Sequence, residues 1–150
     1  MPKRTNEFQQ FITRIYEQMA EPDASVVESA MVKERGSTTE REVDILVQKK
    51  WLFGTDIRIA VECRDRKDKD DIQWIDGLIG KYRDLDVHKI IAVSKSGFTQ
   101  AAKEKAEVNR IDTLTLTEAL ATNWPAGCNF ESDCNQSLYH AGTRDTKRCN

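Results

Sequence analysis

Long hydrophobic runs are missing from this sequence. No apolar stretch approaches the roughly 20 residues that a membrane-spanning helix needs, and the first residues lead into an amphipathic segment without the apolar stretch of a signal peptide. We therefore expect a cytoplasmic protein without a membrane partner. The 150 residues are 39% hydrophobic and 32% charged, a composition that excludes a fully disordered chain and suits one domain with a hydrophobic core.

An excess of positive charge is missing as well. The net charge is −2, whereas proteins that coat nucleic acid in general are usually basic. This balance does not exclude an enzyme that holds phosphates at one site, because acidic metal ligands lower the average charge. Cysteine is scarce, and its positions do not form the disulfide framework of a small secreted domain, so reduced thiols are expected. The four cysteines are Cys63, Cys128, Cys134 and Cys149.

The N-terminal segment predicts a helix followed by a strand. Between Glu7 and Met19 the apolar residues recur at spacings of three and four, which is typical of a helix with one buried stripe. Asn6 is suited to cap the start of this helix, and Pro22 ends the segment. Residues 25–32 are rich in β-branched side chains and therefore favour a strand.

Two alternating segments predict a β-hairpin. Apolar and polar residues alternate over residues 42–48 and 56–64, as on strands with one buried face. With a turn centred near Phe53, the apolar residues of one strand face those of the other, and a slip by one residue would scramble both faces. The apolar pairs are Val43 with Cys63, Ile45 with Val61, and Val47 with Ile59.

The same register brings two carboxylates together. It sets Asp44 opposite Glu62 and Glu42 opposite Arg64 on the second face. Directly opposed side chains have Cβ atoms ~5 Å apart, and two carboxylates that close repel unless a cation lies between them. Mg²⁺ prefers carboxylate oxygens and retains several waters, which suits phosphodiester hydrolysis by an activated water. Arg64 lies on the same face, where it could steady the phosphate.

The rest of the chain alternates helices and strands as far as residue 122. The predicted order is α-β-β-β-α-β-α-β, an α/β fold with a mixed sheet flanked by helices, because parallel crossovers follow the antiparallel hairpin. Its last four elements lie at about residues 72–82, 88–94, 99–109 and 113–116, with Asp70 or Asp71 near the cap of the first.

Residues 123–150 form a polar segment without a sustained period. We expect one folded domain over residues 1–122 and a poorly ordered C-terminal tail over 123–150. Cys128, Cys134, His140 and Cys149 could in principle bind Zn²⁺. The tight pairs of structural zinc sites are absent, so unstructured thiols are the preferred interpretation.

Asp44 followed by Glu62-x-Arg64 resembles the PD-(D/E)xK nuclease superfamily, particularly its Mrr-like restriction endonuclease branch. Residues 61–67, 73–81 and 92–99 also look like that branch, and the resemblance covers residues 7–120. It implies a restriction-endonuclease-like core and cleavage of DNA by a restriction- or repair-type endonuclease. It further implies that Asp44 and Glu62 bind Mg²⁺, for which Mn²⁺ could substitute.

One position departs from the pattern of that family. Arg64 stands where the family has lysine, and arginine can bind a phosphate bidentately but cannot release a proton near neutral pH. Lys67 is close enough in sequence to take over part of the lysine's role, and Gln73 could reach the site from the following helix. The predicted catalytic set is therefore Asp44, Glu62, Arg64, Lys67 and Gln73.

Other interpretations of the same residues stay open. The opposed carboxylates could be a solvated face neutralised by arginines. Four basic residues could form a phosphate track or belong to an ordinary solvated segment, namely Arg66, Lys67, Lys69 and Lys81. A catalytically silent nuclease fold that binds nucleic acid or a protein is the alternative function. One active site cuts one strand, so cleavage of both strands would need a homodimer or a second visit.

Overall fold

The computed structural model describes residues 6–121; the tail and the zinc hypothesis for its cysteines lie outside them. The predicted order of elements is confirmed, and a short helix is added at the end. The elements are α1 (Glu7–Met19), β1 (Ala24–Lys33), β2 (Glu40–Lys50), a 3₁₀ turn (Leu52–Gly54), β3 (Asp56–Arg64), α2 (Ile72–Tyr82), β4 (Lys89–Ser94), α3 (Gln100–Val108), β5 (Ile111–Thr115) and α4 (Leu116–Ala121).

Three helices begin at a residue whose side chain caps them. Asn6, Asp71 and Thr99 each accept a hydrogen bond from the backbone N–H three residues further along the chain, at the starts of α1, α2 and α3. This satisfies one of the N–H groups that a helix start leaves without a partner. The sequence predicted either Asp70 or Asp71 as the cap of α2, and the structure shows that Asp71 is the cap.

The five strands form one mixed sheet in the order β1-β2-β3-β4-β5. β1, β2 and β3 are antiparallel neighbours, while β3, β4 and β5 run parallel. The parallel connections are made through α2 and α3, as such crossovers require. The fold class predicted from the sequence is confirmed. No helix in the described part of the chain is long and apolar enough to cross a membrane.

The predicted hairpin register is confirmed for half of its length. Ile45 pairs with Val61 and Val47 pairs with Ile59, as expected, and the ladder continues to Lys50. It ends at Ile45: beyond this point β2 pairs only with β1, and β3 pairs only with β4. Three predicted cross-strand pairs are therefore wrong, because the two strands separate there: Val43 with Cys63, Asp44 with Glu62, and Glu42 with Arg64.

The alternation of β2 also breaks at this point. Ile45 packs on the α1 side of the sheet, whereas Val43 packs on the α2 side with Ala30 and Val32. The register of β1 and β2 skips Ser29 and Asp44, and Ser29 adopts a positive φ of 52°. The expectation that Val43 and Ile45 share a face is wrong, because the regular alternation is interrupted between them.

The sheet separates two hydrophobic layers. The layer under α1 holds Phe8, Ile12, Ile45, Val61 and Val93, and the layer under α2 and α3 includes Leu46, Ala60, Ile75, Leu78 and Phe98. Each large aliphatic side chain buried in this way contributes about 1.5–3 kcal/mol. Both layers hold the strands rigidly on either side of the place where β2 and β3 part.

Candidate active site

Asp44 lies in the gap between the separating strands. Its Oδ2 accepts a hydrogen bond of 2.8 Å from the backbone N–H of Cys63. A buried backbone N–H must find an acceptor, and here the Asp44 carboxylate takes the place of the strand carbonyl that the ended ladder no longer supplies. The separation of the strands thereby fixes one oxygen of Asp44 and leaves the other unused.

Gln9 of α1 holds the backbone at the same place. Its side chain is only 2% exposed, and its Nε2 donates to the carbonyl oxygen of Asp44 at 3.1 Å and to Ser29 Oγ at 3.4 Å. A buried amide without partners would cost about 1–3 kcal/mol, so these contacts tie α1 to the irregular stretch of both strands. Gln9 thus supports the backbone that carries the Asp44 carboxylate.

Glu62 projects from β3 towards α2 and is 7% exposed. Its Oε1 accepts hydrogen bonds from Lys81 Nζ, at 2.5 Å, and from the hydroxyl of Tyr82. Burying an ionised carboxylate is unfavourable unless it is paired and hydrogen-bonded. The last turn of α2 provides both kinds of partner through two adjacent residues.

The acidic pair is electrostatically strained. Burial, and then the charge of Glu62, raise the pKa of Asp44 to about 6, although the Cys63 N–H and Lys81 act in the opposite direction. Burial and Glu62 also raise the pKa of Tyr82, which therefore remains a hydrogen-bond donor at neutral pH. An additional cation at the pair would relieve the repulsion between the carboxylates.

Two carboxylate oxygens are available for such a cation. Among the described residues, nothing donates a hydrogen bond to Asp44 Oδ1 or Glu62 Oε2. The single buried side-chain oxygen without a partner in that part of the chain is Glu28 Oε1, so both of these oxygens are in contact with solvent. Mg²⁺ is commonly held by one or two carboxylates together with waters and phosphate oxygens, and this donor set fits it. No group of three acidic, histidine or cysteine ligands occurs among the residues described.

Arg64 forms its ion pair with a carboxylate outside the acidic pair. Its guanidinium lies 3.3 Å from Asp70 Oδ1 and 5.0 Å from the centre of the Trp74 ring. Asp70 is 2% exposed, and its other oxygen accepts a hydrogen bond of 2.5 Å from Ser94 Oγ. Arg64 therefore neutralises a buried carboxylate in the β3–α2 loop.

The other two predicted site residues are on the surface. Lys67 and Gln73 are exposed, and neither side chain makes a hydrogen bond or an ion pair within residues 6–121. Elsewhere in the charged run, Lys95 pairs with Asp65 at 3.0 Å. The structure thus brings Asp44 and Glu62 together and leaves Arg64, Lys67 and Gln73 outside their immediate contacts.

Sequence reasoning considered Lys81 only for a possible phosphate track, and it missed the contacts at the site of Gln9, Lys81 and Tyr82. A signal for the last two was available, because they lie three and four residues after Leu78 and so share the buried face of α2. Gln9 gave a weaker signal, as a polar residue beside Phe8 on an otherwise apolar stripe. In each case the contact itself depends on the packing of a helix against the sheet.

The fold of this chain is similar to that of several known structures. The restriction endonuclease AspBHI, which is DNA modification-dependent, matches with a TM-score of 0.52 and 11% identity, over 79% of this chain and 30% of that chain. The MspJI restriction endonuclease, in complex with a 27-mer oligonucleotide, matches with a TM-score of 0.54 and 12% identity, over 95% and 34%. A protein of unknown function, AF1548, matches with a TM-score of 0.60 and 14% identity, over 73% and 58%.

These structural similarities concern the fold, and the chain spans only 30% to 58% of the length of the three proteins. A comparison with curated proteins gave no match. The sequence itself matches the model of the Mrr-type restriction endonuclease catalytic domain over residues 4–121, which is most of the chain and contains both carboxylates. The chain therefore belongs to the Mrr-type restriction endonuclease family.

Proposed function

We propose that this chain is a Mg²⁺-dependent endonuclease domain of restriction or repair type that hydrolyses DNA phosphodiester bonds. The observation that carries the proposal is the pair of carboxylates where β2 and β3 separate. Each has one oxygen held by the protein and one oxygen open to solvent. Family membership supports nuclease chemistry, while the metal, the DNA substrate and a cytoplasmic location are part of the proposal.

In this mechanism Asp44 Oδ1 and Glu62 Oε2 would hold the metal. Mg²⁺ would supply charge neutralisation at the phosphate and a water of lowered pKa for in-line attack. The Cys63 N–H and the Gln9 amide keep the Asp44 carboxylate in place, and Tyr82 does the same for Glu62. The sequence predicts that Arg64 holds the phosphate with help from Lys67 and Gln73, but Arg64 is paired with Asp70 instead of the site carboxylates.

The proposals for the substrate and for a homodimer are based on similarity to other endonucleases. MspJI was solved with an oligonucleotide, which supports DNA as the partner. This chain spans about a third of that protein, so target recognition is expected to come from loops, the tail or another polypeptide. Cleavage of both strands would need a homodimer or two successive cuts.

The test is nicking of supercoiled plasmid in Mg²⁺ or Mn²⁺. Asp44→Asn and Glu62→Gln keep the size of each side chain and remove its charge. Both variants are expected to abolish nicking, as EDTA does for the unchanged protein. Glu107→Gln is the matched control, because Glu107 is an exposed carboxylate on α3. Absence of nicking by the unchanged protein, or nicking that survives both site substitutions, contradicts the proposal.

The alternative is a silent nuclease fold that binds nucleic acid or a protein, and one observation favours it. Arg64 stands at the position where the related family has lysine, and its guanidinium is paired with Asp70. Calorimetric titration with Mg²⁺ separates the two functions. Binding that Glu62→Gln and Asp44→Asn abolish supports the enzyme, whereas no binding in the presence of DNA supports the silent fold.

A further inference from the structure

Two basic side chains near the acidic pair differ in what they contact. We infer that Lys81 of α2 supplies the positive charge that acts on the phosphate beside Asp44 and Glu62, while Arg64 is a positioning residue for the β3–α2 loop. This inference rests on the proposed nuclease function and deepens it. It assigns the role of the missing lysine to a residue on another element of the fold, well separated in sequence from Glu62-x-Arg64.

The contacts of Lys81 place its charge at the site. Its Nζ lies 2.5 Å from Glu62 Oε1. No other lysine, arginine or histidine in the described part of the chain forms an ion pair with Asp44 or Glu62. The Lys81 side chain is 22% exposed, so it is only partly covered by its neighbours.

An ammonium group has three hydrogens to donate. The bond to Glu62 Oε1 uses one of them and leaves two for a phosphate oxygen or a water molecule at the open side of the pair. Glu62 Oε2 stays free for the metal in this arrangement. Lys81 can therefore hold the Glu62 carboxylate and contact the substrate at the same time.

Arg64 is held by contacts that exclude the same role. If its guanidinium turned towards the acidic pair, Asp70 would remain as a buried carboxylate without a positive partner, which is strongly destabilising. Asp70 also anchors the backbone of the loop, since its N–H donates to the Gly97 carbonyl and its carbonyl accepts from the Thr99 N–H. Arg64 therefore stabilises the connection between this loop and the β4–α3 turn.

The first experiment compares the nicking rates of the full chain with those of three variants. Lys81→Met should lower the rate at saturating DNA by at least about 100-fold, as loss of one electrostatic contact to the transition state does. Lys81→Arg, which keeps the charge, should recover part of this loss. Lys50→Met is the matched control, because Lys50 is exposed at the opposite end of β2, and it should nick at the original rate.

The second experiment does not depend on cleavage. Fluorescence anisotropy measures binding of a short DNA duplex in Ca²⁺ over a series of salt concentrations. Loss of one cation that contacts a phosphate reduces the slope of log K against log salt by about one. Lys81→Met should show this reduction, whereas Arg64→Met should keep the slope and lower the melting temperature.

The outcomes separate the inference from the function on which it rests. Nicking that Glu62→Gln abolishes but Lys81→Met leaves intact overturns the role of Lys81 and keeps the nuclease. An Arg64→Met variant with an unchanged melting temperature and a reduced salt slope also overturns the inference. If the unchanged protein neither nicks plasmid nor binds the duplex, the proposed function and the inference both fail.

Discussion

The β2–β3 hairpin has two halves, and they differ in whether the two strands are hydrogen-bonded to each other. In the paired half, residues 45–50 and 56–61 form a regular ladder, and apolar side chains such as Ile45 and Val61 are fully buried. In the open half, residues 40–44 and 62–64, the ladder is absent and Asp44 and Glu62 bring two negative charges into a partly buried space. One pair of strands thus stabilises the fold at one end and brings two repelling carboxylates together at the other end, where they can bind a cation.

The two halves find their backbone partners in different places. The backbone partners of the paired half lie in the opposite strand. The open half relies on side chains from outside the hairpin, namely Gln9 from α1 and Lys81 and Tyr82 from α2. We therefore expect substitutions in the first half to act on stability and substitutions in the second half to act mainly on activity.

The largest expected effect is the loss of activity in Glu62→Gln. Removing one metal ligand should lower the nicking rate by at least about 10³-fold, or several kcal/mol in activation free energy. Glutamine can still accept the hydrogen bond from Tyr82, so the melting temperature should change little. Plasmid nicking and thermal unfolding of the same preparation check this. A large loss of stability would contradict the expectation that residues of the open half act mainly on activity.

Ile45→Ala should lower the stability of the protein and leave its nicking rate nearly unchanged. The side chain is fully buried under α1, and its truncation leaves a cavity that should cost about 2–5 kcal/mol. Urea unfolding should show the lower stability, while protein that remains folded should nick at nearly the original rate. A loss of nicking without a loss of stability would show that the paired half takes part in the chemistry.

Asp44→Asn should stabilise the protein when no metal is present. The pKa of Asp44 rises from 3.8 to about 6 on folding, so the folded state is not penalised below about pH 3.8 and loses stability as the pH rises towards 6. At pH 7 to 8 the loss is on the order of 2–3 kcal/mol, and asparagine avoids it while still accepting the Cys63 N–H. Thermal unfolding in EDTA should therefore show a gain above pH 6 that disappears below pH 4.

Gln9→Ala should produce a smaller, mixed effect. It leaves the Asp44 carbonyl without its side-chain donor, at a cost of about 1–2 kcal/mol, and it loosens the backbone that carries the Asp44 carboxylate. Both stability and nicking should decrease. Thr13→Ala on the same helix face is the control, because Thr13 Oγ1 donates only to its own helix at Gln9 O, and nicking should then be unchanged.

The smallest expected effect lies at the tip of the paired half. Phe53 has a φ of 63°, which is a strained backbone conformation for this residue. Its side chain is fully exposed, so no packing contact compensates for the strain. Phe53→Asn should raise stability by about 0.5 kcal/mol, because asparagine tolerates this backbone region better. Chemical denaturation checks the sign, and a loss of stability would contradict the expected relief of backbone strain.

Much of the fold follows from local patterns. The period of α1, the alternation of β2 and β3 and the caps at Asn6 and Thr99 are properties of short segments, and short segments determine them. Asp44 and Glu62 were also found from the pattern, together with the register of the paired half. The sequence did not predict that the two carboxylates are not directly opposed, because the alternating pattern of β2 and β3 carries no sign that their ladder ends at Ile45.

By itself, the sequence determined the order of elements, the mixed sheet and the presence of two carboxylates near each other, because periodicity and hydrophobic matching act along the strand. Only the tertiary structure decided which positive charge accompanies them. Arg64 has the sequence spacing of a site residue, but the buried Asp70 and the ring of Trp74 hold it elsewhere. Lys81 reaches Glu62 because α2 packs across β3, and a contact between distant segments depends on that packing.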